Sequence, residues 1–504
     1  MEPAAVRPGG RAPVVKTFRR FEPDQVLLLP PSLADWLPEG HLARFVAELV
    51  DEVVDLDPFY ADDAEGRGFP PHDPRLMVRL LIYGYISGVR SSRAIERRCV
   101  DDVGFRFLAA GQVPDFRSIA KFRRRHLAAL AGLLLQSLRL AQRMGMARLG
   151  RVALDGVKLR AAASKHKAMS YDRLVARQEQ LETEIADLEA RIAAMLAEAE
   201  SVDAAEDARL GADRRDEDLP AELARREARL AKVAAAMSSL QAEAADQARV
   251  KAEARERARQ ARSARRDADG GDDEGAQPGE VDQSRVRAVG QQAAEAAAPE
   301  PSAQRNFTDP DSRIMKNSDG AFIQAYNGQA VVDEDHQIIV AADVTTCASD
   351  VGSLLPMLDQ AAGNAGHAPA QALADAGYCS ADNLAALADR QAGGGCTEVL
   401  VATGRLPHGR PAPPPDELLA DTATFKERMA HRLRTDPGRA AYARRKVIVE
   451  PVFGQLATLQ SGKRLLLRGQ DLARGEWRLL AGCHNFRKPF RGLGSAGRLT
   501  TALP

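Results

Sequence analysis

Three acidic residues each close a short apolar run in this chain. Asp155 follows Val152-Ala-Leu154 and precedes Gly156. Asp375 follows Ala372-Leu-Ala374 and precedes Ala-Gly-Tyr378. Glu450 follows Val447-Ile-Val449 and precedes Pro451. A carboxylate at the lip of a core needs a cation or hydrogen bonds, because an unpaired desolvated charge is costly. A hard divalent ion such as Mg2+ meets that need, since it takes oxygen ligands and keeps waters beside one or two carboxylates and a substrate phosphate. Two such ions bridged by one Asp can activate a water and stabilise a leaving 3′ oxygen, and three carboxylates suffice to place both. An Asp before Gly after a strand is also ordinary turn chemistry. On these residues alone both readings stay open.

The elements that would position the three residues read as a mixed α/β layer. Arg151–Lys158 reads as a buried strand ending in an acidic residue and a glycine, and further strands are expected around 321–332, 337–343, 370–375 and 397–402. A helical C-terminus follows. Between the first strand and the rest lies an insert of different character. Leu174, Leu181, Leu188 and Met195 recur every seven residues, with Ile185 and Ile192 in complementary slots. After a charged turn around Asp213–Pro220, Leu223, Leu230 and Met237 repeat the spacing, joined by Val233 and Leu240. Two such stretches joined by a polar loop predict an antiparallel coiled-coil hairpin, either a spacer or an arm for dimerisation or DNA clamping. Residues 250–298 lack apolar periodicity and are expected to be a partly helical, then disordered, linker.

Ahead of the α/β layer the rhythm is helical. Leu42, Phe45, Val46, Leu49, Val50 and Val53 form one stripe. Asp73-Pro74 supplies an N-cap and a first-turn proline for a second helix. Further helices are expected from Ser91-Ser92 and after Asp115. The expected organisation is a disordered tail over 1–28, an all-helical domain over 29–145, and an α/β domain from 146–170 and 301–490. The insert occupies 171–300, and a tail 491–504.

The net charge is zero, from 70 Lys+Arg and 70 Asp+Glu, which excludes a uniformly basic binder. The charge is nevertheless segregated. Lys426–Arg491 holds 16 Lys+Arg against 5 Asp+Glu, a net of +11, and Ile86–His126 holds 10 against 4, a net of +6. Local basic surfaces of this kind suit phosphate contact, although a solvated helical face would look the same. Within the second stretch Arg117, Lys121, Arg123, Arg124 and Arg125 interleave with Phe116 and Phe122, so the aromatics read as core and the basic residues as DNA-backbone contacts. Trp477 reads as a packing residue. Five scattered cysteines suit reduced thiols, not a disulfide framework or zinc knuckle. No signal-peptide core is present, and the longest apolar run, Leu127–Leu135, is too short to cross a bilayer. A cytoplasmic protein is expected.

Several motifs in order resemble the DDE transposases of bacterial insertion sequences. They are Ala153-Leu-Asp155-Gly, Thr308-Asp-Pro-Asp-Ser-Arg313, Tyr326-Asn327-Gly-Gln-Ala330, Leu373-Ala-Asp375-Ala-Gly-Tyr378, and the stretch from Tyr442 through Arg445 and Glu450 to Gln455. Arg474-Gly-Glu-Trp477 and His484-Asn485 extend the similarity. Pro114-Asp115-Phe-Arg-Ser-Ile119 with Phe122-Arg123 resembles the InsH-type N-terminal module. The match covers most of 30–490 apart from the insert.

The resemblance implies an RNase H-like catalytic domain with Asp155 on its first strand, Asp375 on its fourth and Glu450 on a following helix. It implies two Mg2+ ions, with Mn2+ able to substitute, and hydrolysis at element ends followed by attack of the freed 3′-OH on target DNA. The implied partner is double-stranded DNA, both terminal inverted repeats and target, bound by at least a dimer in the nucleoid. Arg313, Lys316, Tyr442, Arg445, Lys446, Lys463 and Arg464 join the N-terminal basic cluster as candidate DNA contacts. The pattern departs from the family at two points. Glu450 falls eight residues after Tyr442 where the family has seven, and Ala457 stands where a Lys is usual, a contact that Lys463 or Arg464 would supply. Pro451 is expected to start or kink the helix at Glu450. Two competing readings are a DNA-binding, oligomerising derivative with relic carboxylates, and a structure-selective nuclease of the same fold.

Overall fold

A computed structural model describes residues 32–61, 71–163, 168–206, 219–269, 282–394, 397–404 and 423–493. The tail expected over 1–28, most of that over 491–504, Lys165 and His166 after the first strand, Cys396, and the turn around 213 lie outside these residues.

The described residues open with seven helices: α1 (Leu42–Glu52), α2 (Asp57–Tyr60), α3 (Pro74–Ile86), α4 (Ser92–Asp101), α5 (Val103–Leu108), α6 (Phe116–Arg125) and α7 (Leu127–Arg143). Their starts follow local chemistry. Asp73 caps α3 through Arg75 N with Pro74 in the first turn, and Asp115 caps α6 through Arg117 N and Ser118 N.

There follow β1 (Arg151–Arg160), β2 (Ala168–Ser170), α8 (Tyr171–Glu206), α9 (Leu219–Asp269), α10 (Gln283–Glu295), β3 (Gln304–Asn306), β4 (Arg313–Lys316), β5 (Phe322–Asp333), β6 (Ile339–Thr345) and α11 (Leu354–Ala365). The chain ends with β7 (Gln371–Ala374), α12 (Ala381–Ala392), β8 (Glu398–Val401), α13 (Phe425–Arg434), α14 (Asp436–Thr458) and α15 (Gln470–Leu493). All five expected strands are present.

The main sheet is mixed, in the order β4-β5-β1-β7-β8, with β6 also paired to β5. β1 is antiparallel to β5 and parallel to β7, and β7 is parallel to β8. Helices cover both faces. One face packs with Leu154, Val331, Ala372 and Val399 against α11 and α12. The other packs with Ala153, Leu159, Ala330 and Leu373 against α14 and α15. That second core continues without a break into α1, α3 and α7, so the helical N-terminal part shares its interior with the sheet. α15 lies at the junction, with Trp477, Leu480 and Phe486 buried.

The insert leaves the sheet through a two-stranded clasp. β2 pairs with β3, and Tyr171 N donates to Ala303 O at 2.8 Å just beyond it. α8 and α9 run antiparallel, since Tyr171 meets Gln241 at 3.2 Å while Glu184 meets Arg226 at 3.4 Å. Leu174 and Leu181 pack with Val233 and Leu240 at the seam. Part of the linker expectation is corrected. Residues 250–269 continue α9, and 283–295 form α10, which is packed and not disordered. Asp282 caps α10, Val286 is fully buried, and Arg285 pairs with Glu256 at 3.0 Å. One valine and one glycine seat this short helix, too sparse a signal for periodicity to reveal. Among the described residues no helix is long and apolar enough to cross a membrane.

Candidate active site

Parallel pairing brings two of the three acidic residues together. Leu154 of β1 lies opposite Ala374 of β7, so the next residue on each strand, Asp155 and Asp375, emerges at the same edge of the sheet. A separation of 220 positions in sequence is bridged by one step of the ladder. β1 runs on past Asp155 to Arg160 along β5, but β7 stops, which opens a notch on one side of β1. At the far end of that notch the 463–465 segment pairs with β1: Arg160 N donates to Lys463 O and Leu465 N to Arg160 O, both at 2.9 Å.

Asp155 is held by Arg445 of α14, whose Nη1 donates to Oδ2 at 2.9 Å, and by Gly156 N, which donates to Oδ1 at 2.8 Å. Burial raises its pKa, and Arg445 and the Gly156 amide only partly offset that, while the Asp375 charge adds to it. Arg445 is itself buried. Desolvation would weaken its charge, but Asp155 and Tyr442 more than compensate and keep the guanidinium protonated. Asp375 Oδ1 accepts from Gly377 N at 2.8 Å. Tyr378, fully buried below the pair, has its hydroxyl pushed well above 10 by burial and then by Asp350, Asp155 and Asp375. The pocket is therefore electronegative before any cation enters.

α14 places the remaining candidates. Its buried face carries Ala441, Arg445, Ile448, Val449 and Val452, and Tyr442 is half-buried beside Arg445. Glu450 and Lys446 are exposed. The helix does not start at Glu450, one of the two outcomes that Pro451 suggested, but begins at Asp436 and passes through the proline. Pro451 has no N–H for the carbonyl of Val447. Gln337 supplies the missing donor, with Nε2 at 3.1 Å from Val447 O. Among the described residues no three His, Cys, Asp or Glu side chains stand close enough to hold one ion together. Asp155 and Asp375 are neighbours at the ends of their paired strands, whereas Glu450, exposed on α14, has no hydrogen bond or ion pair with either among the described residues.

The candidate DNA contacts divide. Arg117, Lys121, Arg124, Lys316, Lys463 and Arg464 are exposed. Arg123 is not available: it is 6% exposed and its Nη1 donates to Arg90 O at 2.9 Å and to the Tyr85 hydroxyl at 3.4 Å. In helix α6 it falls on the same face as buried Ile119, four residues earlier, which fixes it inward. Arg313 is engaged within the chain, with Glu243 at 3.2 Å and the carbonyls of Pro310 and Asp311. Trp477 is buried as expected, its Nε1 donating to Gln329 O at 2.9 Å.

Sequence reasoning missed Asp350. Its Oδ1 accepts from Asn327 Nδ2 at 2.6 Å, Gln329 Nε2 at 2.8 Å and Lys158 Nζ at 3.3 Å. No apolar run precedes Asp350, so the pattern that singled out the other acids passes over it. The usable signal was Asn327 and Gln329, which alternate with Gly328 on one strand and so share a face. The oxygen-rich surroundings suit a hard divalent cation. Besides the carboxylates, the Asn327 Oδ1, fully buried, has no hydrogen-bond partner.

Residues 31–125 match the family described as a transposase domain (DUF772), and residues 275–486 match the transposase DDE domain. Together the two matches span more than half of the chain. No curated protein and no solved structure matches it. A helical transposase domain followed by a transposase DDE domain places this chain among the DDE transposases of insertion sequences.

Proposed function

We propose that this transposase cuts the ends of its own element by metal-dependent hydrolysis and joins the freed 3′-OH to target DNA. The observation that carries the reading is the meeting of Asp155 and Asp375 at the ends of paired parallel strands, beside the Arg445 of α14, the helix that also carries Glu450. The strand order supports an RNase H-like assignment for the sheet, since an antiparallel β6-β5-β1 half continues into a parallel β1-β7-β8 half. Asp155, Asp375 and Glu450 would hold two Mg2+ ions, or Mn2+ in their place. Those ions would supply an activated water and a stabilised leaving oxygen.

The chain's own residues prepare that site. Arg445 fixes the Asp155 carboxylate by a charge-assisted hydrogen bond and balances part of its charge. Burial raises the Asp155 pKa, so a bound cation would have to displace a proton held more firmly than usual. Lys463 and Arg464, exposed at the far end of the notch, and Lys446 on α14 would meet phosphates of the bound strand. Arg117, Lys121, Arg124 and Lys316 would add backbone contacts of the kind that position DNA without reading it. The α8–α9 pair reads as a coiled-coil arm between copies of a dimer assembled on DNA.

The test uses Asp155→Asn and duplexes carrying the flanking repeats of the element. The wild type should nick and join them with Mg2+ or Mn2+. D155N should bind them with unchanged affinity and lose both reactions by at least about 1,000-fold. Cleavage by D155N at near wild-type rate would remove Asp155 from the chemistry, and cleavage without joining by the wild type would mark a nuclease.

A further inference from the structure

Two side chains of the Tyr326-Asn327-Gly-Gln329 segment, Asn327 and Gln329, converge on one carboxylate, while Tyr326 turns to Asp309. Asp350 opens the turn into α11, after β6, and reaches back over β1. Its Oδ1 takes three donors, two amides and Lys158 Nζ. Gln329 is pinned at its other end, where the Tyr378 hydroxyl donates to Oε1. Lys158 is steadied by Ala348 O at 2.9 Å. All three donors come from rigid strands, so Oδ1 is fixed in place.

The other oxygen is differently placed. Asp350 Oδ2 carries no hydrogen bond among the described residues, and it lies 3.2 Å from where a Cβ on Gly377 would stand. Asp375 Oδ1 lies 3.0 Å from that same point. On the opposite side, a Cβ on Gly156 would meet Asp350 Oδ1 at 2.8 Å and Asn327 Oδ1 at 3.1 Å. The two glycines, each one or two residues after a site aspartate, leave the space into which Asp350 enters. The orphaned Asn327 Oδ1, buried and facing the same gap, is an acceptor that only a cation, a water or a donor could satisfy.

We infer that Asp350 is a further carboxylate of the metal site, with Oδ2 set beside Asp375 and Oδ1 locked by Asn327, Gln329 and Lys158. This rests on the metal-dependent reading of Asp155 and Asp375. Lys158 offsets one charge and Arg445 another, so three aspartates against two cations leave one net negative charge. No three carboxylates among the described residues stand close enough to hold one ion together, so Asp350 would share an ion with Asp375 alone. The strand segment thus acts as a bracket: it keeps one oxygen occupied so that the other stays turned to the ion.

Mn2+ binding to the metal-free full-length protein, read by the paramagnetic resonance of free Mn2+, tests this without relying on turnover. Wild type, D350N and D155N are compared, each checked for an unchanged thermal midpoint in chelator. D350N and D155N should both weaken the tightest Mn2+ site by at least about tenfold. If D350N binds within twofold of wild type while D155N is weakened, Asp350 is no ligand and the metal-dependent reading survives. If D155N also binds like wild type, both fall. Should D350N fail to fold, Asp350→Cys in a Cys347→Ser background replaces it. A thiolate prefers soft ions, so D350C should lose Mn2+ affinity and gain Cd2+ affinity at least tenfold over C347S alone. An unchanged Cd2+ affinity overturns the assignment.

Discussion

Replacing Arg90 with Met would test how the helical N-terminal part is tied to the catalytic sheet. Arg90 lies at the start of α4, yet its head is buried among residues from the end of the chain. Its Nη1 meets Glu476 Oε1 at 3.0 Å, and its Nη2 donates to Arg464 O at 2.5 Å and to Ser461 O. Glu476, fully buried on α15, accepts Leu466 N at 2.7 Å and Leu467 N at 2.9 Å through its other oxygen. Met matches the stem of Arg but removes one charge and leaves two carbonyls without their donor. Breaking a buried pair from one side costs about 3–5 kcal/mol, because the remaining charge is stranded. The freed carbonyls belong to the same network, so their cost is not added separately.

R90M is therefore expected to lower the free energy of unfolding by about 3–5 kcal/mol. Hydrogen exchange should quicken at Leu466 and Leu467, whose amides depend on a Glu476 held in place. E476Q should cost a similar amount, and the double variant should cost less than the two singles together by at least about 1.5 kcal/mol, since each single strands the other's partner. The assays are urea unfolding and amide exchange on the metal-free protein. A loss under about 1 kcal/mol for R90M, with unchanged exchange at the two leucines, would refute the reasoning. It would mean that the pair behaves like a surface bridge.

Two pH effects follow from buried groups. Burial raises the Asp155 pKa above its usual 3.8, so the folded, metal-free protein holds this proton to a higher pH than the unfolded chain does, and ionising it costs stability as pH rises. An ion needs the charged form, so the Mn2+-induced rise in thermal midpoint should grow with pH in wild type and be absent in D155N; a pH-independent rise would contradict this. His484 is buried with its pKa lowered to about 3 by desolvation and then by Lys488, against 6.5 when exposed. Its contribution is present above pH 6.5 and is lost as pH falls toward 3, on the order of 4–5 kcal/mol at most. His484→Gln, which can still donate to Gln337 O, should flatten acid unfolding in that window, and an unchanged acid limb would exclude the assignment.

Much of this architecture could be read from residue order. Runs such as Val152-Ala-Leu154 and Val399-Leu-Val401 are buried on both faces, and continuous apolar strands are what a helix-covered sheet requires. The starts of α3 and α6 were legible because an N-cap acts within three residues. Leu174, Leu181 and Leu188 reported their seam because a heptad repeat survives without tertiary context. What escaped depends on partners distant in sequence. Arg123 looked like the other arginines of its cluster until Tyr85 and Arg90 enclosed it. The continuity of α14 through Pro451 depends on Gln337, more than a hundred residues away. Asp350 acquires its meaning only when β5 lays Asn327 and Gln329 against it.

The clasp formed by β2 and β3 has a consequence for how this chain can vary. The arm departs and returns where Tyr171 meets Ala303, beside the end of β1 and the start of β4, and at its base Glu243 of α9 pairs with Arg305 and Arg313. Residues can be gained or lost in that arm without pulling on the spacing between Asp155 and Asp375, much as a handle can be lengthened without altering the blade. Relatives with a far shorter arm, or none, are compatible with the same sheet.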